Sequence, residues 1–573
     1  MCGIFLYRIS VRDAGRSGER SIGKHCGIFF TVESSQWRQV NFYKNMSASA
    51  SIESITLPSA AKPVCAESWQ FQQQIGHISR QSAVYFAGTI FTALSGYLFK
   101  VYLARALGAT ALGLYALGMT LVGFLGVFNA LGLPQSAVRF VASYTVLGKT
   151  DLLRGFLVRS TILLLVSNAV LGALVVLAGP WIASHVYHTS ALNPYLAWFA
   201  VIMASGALNV FLGQVLAGFK DVARRTVISN FVAGPLTIVL TIVLVQGGLR
   251  LRGYIVAQVV SGCVVLLLLL VSIGKFIPRT VSGQLPLLEQ EVIAFSGIAL
   301  GVAFLEFVMA QADKVLIGIY LNAREVGIYA VAAALVAFTP IVLQSVNQIF
   351  SPVIAELYSS GQLELLRRIF QTLTKWILGL TLPLAAAMIV FAPAIMRIFG
   401  GDFEAGWAIL VIGTLGQLVN CAVGSVGYLL LMSGHQGTLI RIQIVVACVM
   451  VLLNAVLIPQ WGIIGASVSA AVTNVVSNFW YLRSVRRKLG LSPHNRGYLR
   501  LMPAVATAVM LLLAIAKMLH SFHPEWMAIV AGVFVAYAGF SAVAVLVGFD
   551  EDDRLIAGAV WRRIRTTFGG ALA

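Results

Sequence analysis

The run Lys100-Val101-Tyr102-Leu103-Ala104-Arg105-Ala106-Leu107-Gly108-Ala109-Thr110-Ala111-Leu112-Gly113-Leu114-Tyr115 returns 214 residues later as Lys314-Val315-Leu316-Ile317-Gly318-Ile319-Tyr320-Leu321-Asn322-Ala323-Arg324-Glu325-Val326-Gly327-Ile328-Tyr329. The copies agree at Lys100 and Lys314, Val101 and Val315, Leu107 and Leu321, Ala109 and Ala323, Gly113 and Gly327, and Tyr115 and Tyr329. The agreement runs on through Ala116 with Ala330 and Leu121-Val122 with Leu335-Val336. Apolar helices share Leu and Ala through composition alone, but a lysine, a glycine and a tyrosine at fixed intervals are not generic lipid-facing choices. A similar offset sets Gly218 beside Gly434. This pattern predicts a duplicated unit of six helices. Six crossings return the chain to its starting side, so the copies share an orientation and are related by an axis along the membrane normal. Two such lobes with a cavity between them form the arrangement of a transporter.

Composition agrees. Of 573 residues, 59% are apolar and 11% charged, against roughly 45 to 50% and about 25% in soluble domains. At about 20 apolar residues per crossing, windows of hydropathy predict an all-α polytopic membrane protein of about 14 spans. They fall near 82–104, 113–134, 156–179, 195–217, 226–246, 253–274 and 292–320, then 326–350, 373–396, 406–432, 439–458, 462–482, 499–519 and 526–548. The last two lie outside the repeat. Pro134, Pro180, Pro194, Pro352 and Pro459 fall at or beside proposed helix ends, where proline cannot continue a helix. Pro235 and Pro383 fall inside spans and predict kinks.

Lys and Arg number 40 against 21 Asp and Glu, a net charge of +19. Such a balance suits nucleic-acid binding in a soluble protein, but here the positive-inside rule supplies the cause, and no nucleic-acid partner is expected. Dense clusters at Lys220, Arg224 and Arg225, at Arg367 and Arg368, and at Arg483, Arg486, Arg487 and Lys488 all fall on the side of the N-terminus. Both termini are therefore expected in the cytoplasm. The cysteines Cys2, Cys26, Cys65, Cys263, Cys421 and Cys448 form no close pairs, so free thiols and no structural metal are expected.

The expected organisation is a cytoplasmic leader over 1–78, disordered or a mis-assigned start with translation from Met46, an N-lobe over 79–280 and a C-lobe over 281–490. Helices 13 and 14 follow over 491–549, and a cytoplasmic tail over 550–573. The opening Met1-Cys2-Gly3-Ile4-Phe5 resembles the start of glutamine amidotransferases, with an N-terminal Cys nucleophile, but that domain needs far more chain than the leader provides.

Leu103-Ala104-Arg105-Ala106-Leu107-Gly108, Gly113-Leu114-Tyr115 and Gly132-Leu133-Pro134 with Arg139 resemble the beginning of the polysaccharide transporter family. So do Ala312-Asp313-Lys314-Val315-Leu316-Ile317-Gly318 with Gly327-Ile328-Tyr329, Ser433-Gly434-His435, and Leu453-Asn454 through Ile458-Pro459 to Gly462-Ile463-Ile464-Gly465-Ala466. The resemblance covers about 78–490. That family belongs to the superfamily that also holds multidrug extrusion pumps and lipid II flippases. The resemblance implies a flippase of the bacterial cytoplasmic (inner) membrane with no cofactor. Its cargo would be undecaprenyl-pyrophosphate-linked oligosaccharide repeat units, moved toward the periplasmic leaflet for O-antigen, lipopolysaccharide or exopolysaccharide. It implies functional partnership with a polysaccharide polymerase and glycosyltransferases.

Two acids fall within a span, Glu306 and Asp313, both on the seventh. Seven residues apart, they lie on nearly one helical face, and intramembrane acids are costly enough to mark function. Glu306 reads as a proton or cation site coupling a gradient to transport. Asp313 reads equally as a coupling residue or as a structural partner of Lys314 or Arg324. Lys100 and Lys314, equivalent in the repeat, are expected at similar depth on opposite lobes, where two ammonium groups suit a diphosphate; the plainer alternative is snorkelling to the interface. Arg105 joins them as a substrate-binding candidate, although lipid II flippases carry an arginine pair on the first helix where this chain has Lys100 and Arg105. Gln344, Asn347 and Gln348 share a face by spacing and could line a sugar path. Most other intramembrane amides, among them Asn129, Asn168, Asn209 and Gln258, are expected to make interhelical hydrogen bonds.

Three other classes are weighed. ATP-driven transport would need a phosphate loop, and Ser143-Tyr144-Thr145-Val146-Leu147-Gly148-Lys149-Thr150 lacks the first glycine and the strand before it. A membrane polymerase or ligase would need a large outer loop, whereas the longest, Pro180 to Pro194, carries His185 and His188 and no Lys, Arg, Asp or Glu. A multidrug antiporter would share the fold.

Overall fold

The computed structural model describes residues 64–276, 286–493, 502–518 and 525–547. The chain divides into two compact units. Residues 64–79, the described part of Cys2–Ser79, are helical, and all that follows concerns the unit from Arg80 onward. The Cys2 reading, most of the leader and the tail lie outside the described residues.

Every described element is a helix: α1 Val64–Ala130, α2 Leu133–Val146, α3 Thr150–His185, α4 Leu196–Gly218, α5 Val222–Thr226, α6 Ala233–Leu244, α7 Arg250–Ile273, α8 Gln290–Tyr320 and α9 Ala323–Val336. The second part continues with α10 Ile341–Ser359, α11 Leu363–Val390, α12 Ala392–Ile398, α13 Trp407–Val423, α14 Val426–Met432, α15 Gln436–Leu489, α16 Met502–Met518 and α17 Glu525–Val547. Short 3₁₀ or π segments join several of them.

Several of these are too long for one crossing. At 1.5 Å per residue the 54 residues of α15 would span about 80 Å, against a hydrocarbon core of about 30 Å. The chain solves this with glycine. Gly108 in α1 (φ 79°, ψ 172°) and Gly462 in α15 (φ 59°, ψ −141°) adopt backbone angles closed to residues with a Cβ, and each splits its helix into two arms. A third break falls at Gly248, between α6 and α7. Among the described residues, nine helices are long and apolar enough to cross a membrane. Resolving these three breaks, and adding the broken pair α9 with α10, bent by 51°, and the shorter α16, recovers the fourteen expected spans.

Prolines behave less simply than expected. Pro459 stands three residues before the Gly462 break, beside the end of the first arm of α15 as expected, but Pro180 and Pro352 lie inside α3 and α10 rather than at their ends. Neighbouring helices and local widening can satisfy the carbonyls that proline frees, so membrane helices tolerate it. At Pro235 the expected distortion takes the form of a π-helical turn over Val227–Val232 just before it. Pro383 leaves α11 unbroken.

One apolar cluster joins the two halves, with Leu117, Phe199 and Ile255 from the first and Ile317, Ile328, Phe403 and Ile458 from the second all nearly inaccessible. Each half also has its own cluster, around Phe156 and Phe211 and around Phe370 and Leu429. α16 and α17 pack on α11 and α12 through Phe391, Leu512 and Phe540. Outward faces are apolar too, with Leu98, Leu177 and Phe534 at least 73% exposed, which only lipid can cover. Some intramembrane amides bond as expected, Asn129 Nδ2 donating to Asn168 Oδ1 at 2.7 Å and Asn209 Nδ2 to the Gly262 carbonyl at 3.0 Å, whereas the buried Asn454 has no hydrogen-bond partner at either amide atom among the described residues.

Candidate functional site

The repeat becomes physical at Gly113 and Gly327. A Cβ on Gly113 would fall onto the Ala323 carbonyl, and one on Gly327 onto the Ala109 carbonyl. Ala109 and Ala323 are themselves repeat equivalents, so the contact is reciprocal. Small residues here let the backbones of the two halves touch. Asn322 starts α9 at this crossing, its Oδ1 accepting from Glu325 N at 3.1 Å, an N-cap that satisfies one open donor.

Beside this crossing lies a cavity of about 350 Å³. From the first half it is lined by Tyr97, Lys100, Tyr115 and Tyr254, and from the second by Gln311, Lys314, Gly327 and Phe399. Among the described residues its lining includes both lysines and no Asp or Glu. The repeat goes further than the lysines. The Lys100 Nζ stands 4.8 Å from the centroid of the Tyr97 ring, and the Lys314 Nζ donates to Gln311 Oε1 at 2.8 Å. Tyr97 and Gln311 occupy equivalent positions, each three residues before its lysine, one helical turn away. Sequence reading missed both. The signal was available only by asking what precedes the lysine in each copy. Tyr115 and Tyr254 meet at Gln258, whose Nε2 donates to their hydroxyls at 2.8 and 2.7 Å. Tyr97 also donates to the Ala334 carbonyl at 3.1 Å across the halves.

Asp313 is engaged. Its Oδ2 accepts from the Tyr329 hydroxyl at 2.6 Å and its Oδ1 from the backbone N of Lys314 at 2.8 Å. The expected ionic link to Arg324 is not made; Arg324 pairs instead with Asp402 at 3.3 Å. Glu306 is exposed on α8 and, among the described residues, has no hydrogen-bond or ion-pair partner. Neither acid lines the cavity.

Three further expectations need correction. Arg105 does not line the cavity; its Nε donates to the Ile398 carbonyl at 2.7 Å. Gln344, Asn347 and Gln348 do not share one open face, because Asn347 is buried while the two glutamines are exposed. The i, i+4 pair stays together on the open side of α10, and the i+3 residue turns into the packed side. Lys375, buried within α11, was not among the candidates.

Away from the cavity the halves are also joined, through α2 and α8, by different chemistry. Arg139 pairs with Glu291 at 2.5 Å, its guanidinium 5.3 and 5.0 Å from the rings of Phe140 and Phe295. Tyr144 donates to Glu289 at 2.5 Å, and the Ser136 and Ser296 hydroxyls are 2.7 Å apart. All three link α2 to α8 or to the residue just before it. None of these residues lines the cavity; they join the two halves away from it.

Comparison with known proteins follows this geometry. The chain is 26% identical over 176 residues to a probable low-salt glycan biosynthesis flippase of Haloferax volcanii, covering 30% of this chain and 37% of that protein. Little more than a third of that relative's length is therefore spanned. An uncharacterised membrane protein of Methanocaldococcus jannaschii is 22% identical over 419 residues, 68% of this chain and 80% of its own. Among solved structures, a lipid II flippase in an inward closed conformation superposes with a TM-score of 0.63 at 14% identity, covering 80% of this chain and 98% of its own. An inward-facing multidrug resistance transporter superposes at 0.58 and 15% identity, covering 70% and 94%. At such identities the structures establish the fold. A sequence model of one family matches residues 102–405, more than half of the chain and all the cavity-lining positions from Leu103 to Phe399, and the chain belongs to that family, the polysaccharide biosynthesis proteins.

Proposed function

We propose that the protein is a flippase that carries undecaprenyl-pyrophosphate-linked oligosaccharide from the cytoplasmic to the periplasmic leaflet by alternating access. The observation that carries this reading is the pair of repeat-equivalent lysines on one acid-free cavity. Each half contributes one ammonium group, so a dianionic diphosphate bound between them draws the halves together and neutralises two like charges. Charge-assisted hydrogen bonds of this kind are about twice as strong as neutral ones. The prenyl chain stays in lipid and the glycan in the aqueous path, where Gln344 and Gln348 offer amides. Glu306 is the proposed coupling site, since Asp313 has both oxygens engaged and Glu306 does not. In this reading both termini are cytoplasmic and the protein works with glycosyltransferases that build the repeat unit and a polymerase that consumes it.

Deletion of the gene tests the proposal. Prenyl-linked repeat units are expected to accumulate in the inner leaflet and surface polymer to vanish. Normal polymer in a strain with no second flippase would contradict it, and altered drug resistance instead would assign the chain to multidrug extrusion. Orientation is tested separately: in a background without native cysteines, Ser190→Cys should react with an impermeant thiol reagent in intact cells and Arg487→Cys should not. Both positions are exposed.

A further inference from the structure

We infer that Arg105 is the clasp of the gate at the Gly113 end, and that an anion leaving the lysine pair releases it. The inference rests on the proposed diphosphate cargo. Arg105 follows Lys100 by five residues on one helical arm, about 7.5 Å farther along the axis. Its Nε donates to the carbonyl of Ile398 across the two halves. Ile398 is the last residue of α12, so its carbonyl is one of those a helix end leaves without an internal partner.

What makes this bond more than a cap is the next residue. Phe399 lines the cavity and is 5% exposed, so the clasp ends one residue from the cavity wall. Behind it Gly400, at φ 133° and ψ 158°, adopts a conformation open to glycine and strained for other residues. The same segment is tied to its own half by Arg397 with Glu404 at 2.8 Å and by Arg324 with Asp402 at 3.3 Å. Those pairs move with the second half. Arg105 moves with the first, so parting the halves at this end must break the Arg105 bond.

Arg105 is exposed, and a neutral carbonyl is a weak competitor for a guanidinium. A phosphate oxyanion forms a charge-assisted, frequently bidentate contact that is about twice as strong. Arg105 is the next basic side chain along this arm after Lys100, so a diphosphate that passes from Lys100 to it reaches a group that gains by exchanging Ile398 for phosphate. That exchange frees Phe399 and the α12 segment at the moment the cargo arrives, coupling exit to occupancy.

The test uses the full-length protein in nanodiscs, with native cysteines removed and Ala116→Cys, in the cavity lining, as reporter. Inorganic pyrophosphate is the probe. In the parent, the reporter should react slowly with an impermeant thiol reagent, and pyrophosphate should speed it roughly tenfold, the scale of one lost hydrogen bond. Arg105→Gln should react fast with or without pyrophosphate. Arg105→Lys, which can still donate to Ile398, should restore slow reaction and part of the response, an outcome that a fold defect would not produce. Equal, slow rates in the parent and Arg105→Gln would overturn the clasp. Pyrophosphate binding by the parent is measured independently by calorimetry: its absence would sink the lysine reading, while basal rates in Arg105→Gln would still decide the clasp.

Discussion

In the first half Tyr115 shares hydrogen bonds with Gln258; in the second its equivalent Tyr329 donates to Asp313. Beneath that difference the halves are alike. Gly113 and Gly327 meet the same alanine carbonyls of each other's half, and Lys100 and Lys314 line one cavity, each steadied by the residue three before it. The acids are not shared: by the repeat offset Glu306 corresponds to Thr92 and Asp313 to Phe99. Crossing and gripping need both copies in symmetric positions, because they act across the axis. On the proposed function a coupling ion needs one site, and only the second copy carries an acid at the position of Glu306. On that proposal the duplicated residues serve contact between the halves and Glu306 serves energy.

The largest expected effect attacks the shared part. Gly113→Val or Gly327→Val places carbon atoms where a backbone carbonyl of the opposite half lies, and overpacking of this kind costs about 1–3 kcal/mol. Either should lower transport by roughly 10- to 100-fold, with both proteins still inserted, as measured by flux in proteoliposomes at matched abundance. Near-equal losses would sharpen the symmetry; a loss at one glycine alone would break it.

Next comes the asymmetric part. Glu306→Gln should abolish the dependence of transport on an imposed ion gradient while pyrophosphate binding survives, whereas Thr92→Val at the equivalent position should leave coupling intact. Coupling that persists in Glu306→Gln would remove the proposed ion site.

A smaller effect separates the two tyrosines. Tyr329→Phe deletes a hydrogen bond to a carboxylate, worth about 1.5–3 kcal/mol, and Tyr115→Phe one to a neutral amide, worth about 0.5–1.5 kcal/mol. Thermal unfolding in detergent should therefore show the larger drop for Tyr329→Phe. The reverse order would mean that Asp313 does not depend on Tyr329. Smallest of all is Arg324→Ala, which removes an exposed pair with Asp402 and should change stability by about 0–1 kcal/mol.

How much of this was legible in the sequence depends on whether a signal repeats. The spans and the two lobes could be read because apolar runs are long and because lysine, glycine and tyrosine recur at one offset. The lysine pair was legible for the same reason. Tyr97 and Gln311 were not, since an aromatic or amide three residues before a lysine is unremarkable in one copy and differs in type in the other. Arg324 and Arg105 were misjudged because their partners, Asp402 and the Ile398 carbonyl, lie 78 and 293 residues away, and helical spacing reports only neighbours within a turn or two. Asn347 shows the limit of spacing itself: i, i+3 and i+4 place residues on adjacent faces, and packing decides which of them is open. Prolines misled because lone-chain rules end helices that surrounding helices can sustain.

The central claim, that both halves grip one diphosphate through equivalent lysines, is tested most directly by a double-mutant cycle on pyrophosphate binding. Calorimetry would compare the parent with Lys100→Gln, Lys314→Gln and the double variant in the same nanodiscs. Two groups on one ligand are coupled, so each single change should weaken binding by roughly tenfold or more, and the double change should cost clearly less than the sum of the singles. Parent-like affinity in both single variants would contradict the claim and leave the lysines as interfacial anchors.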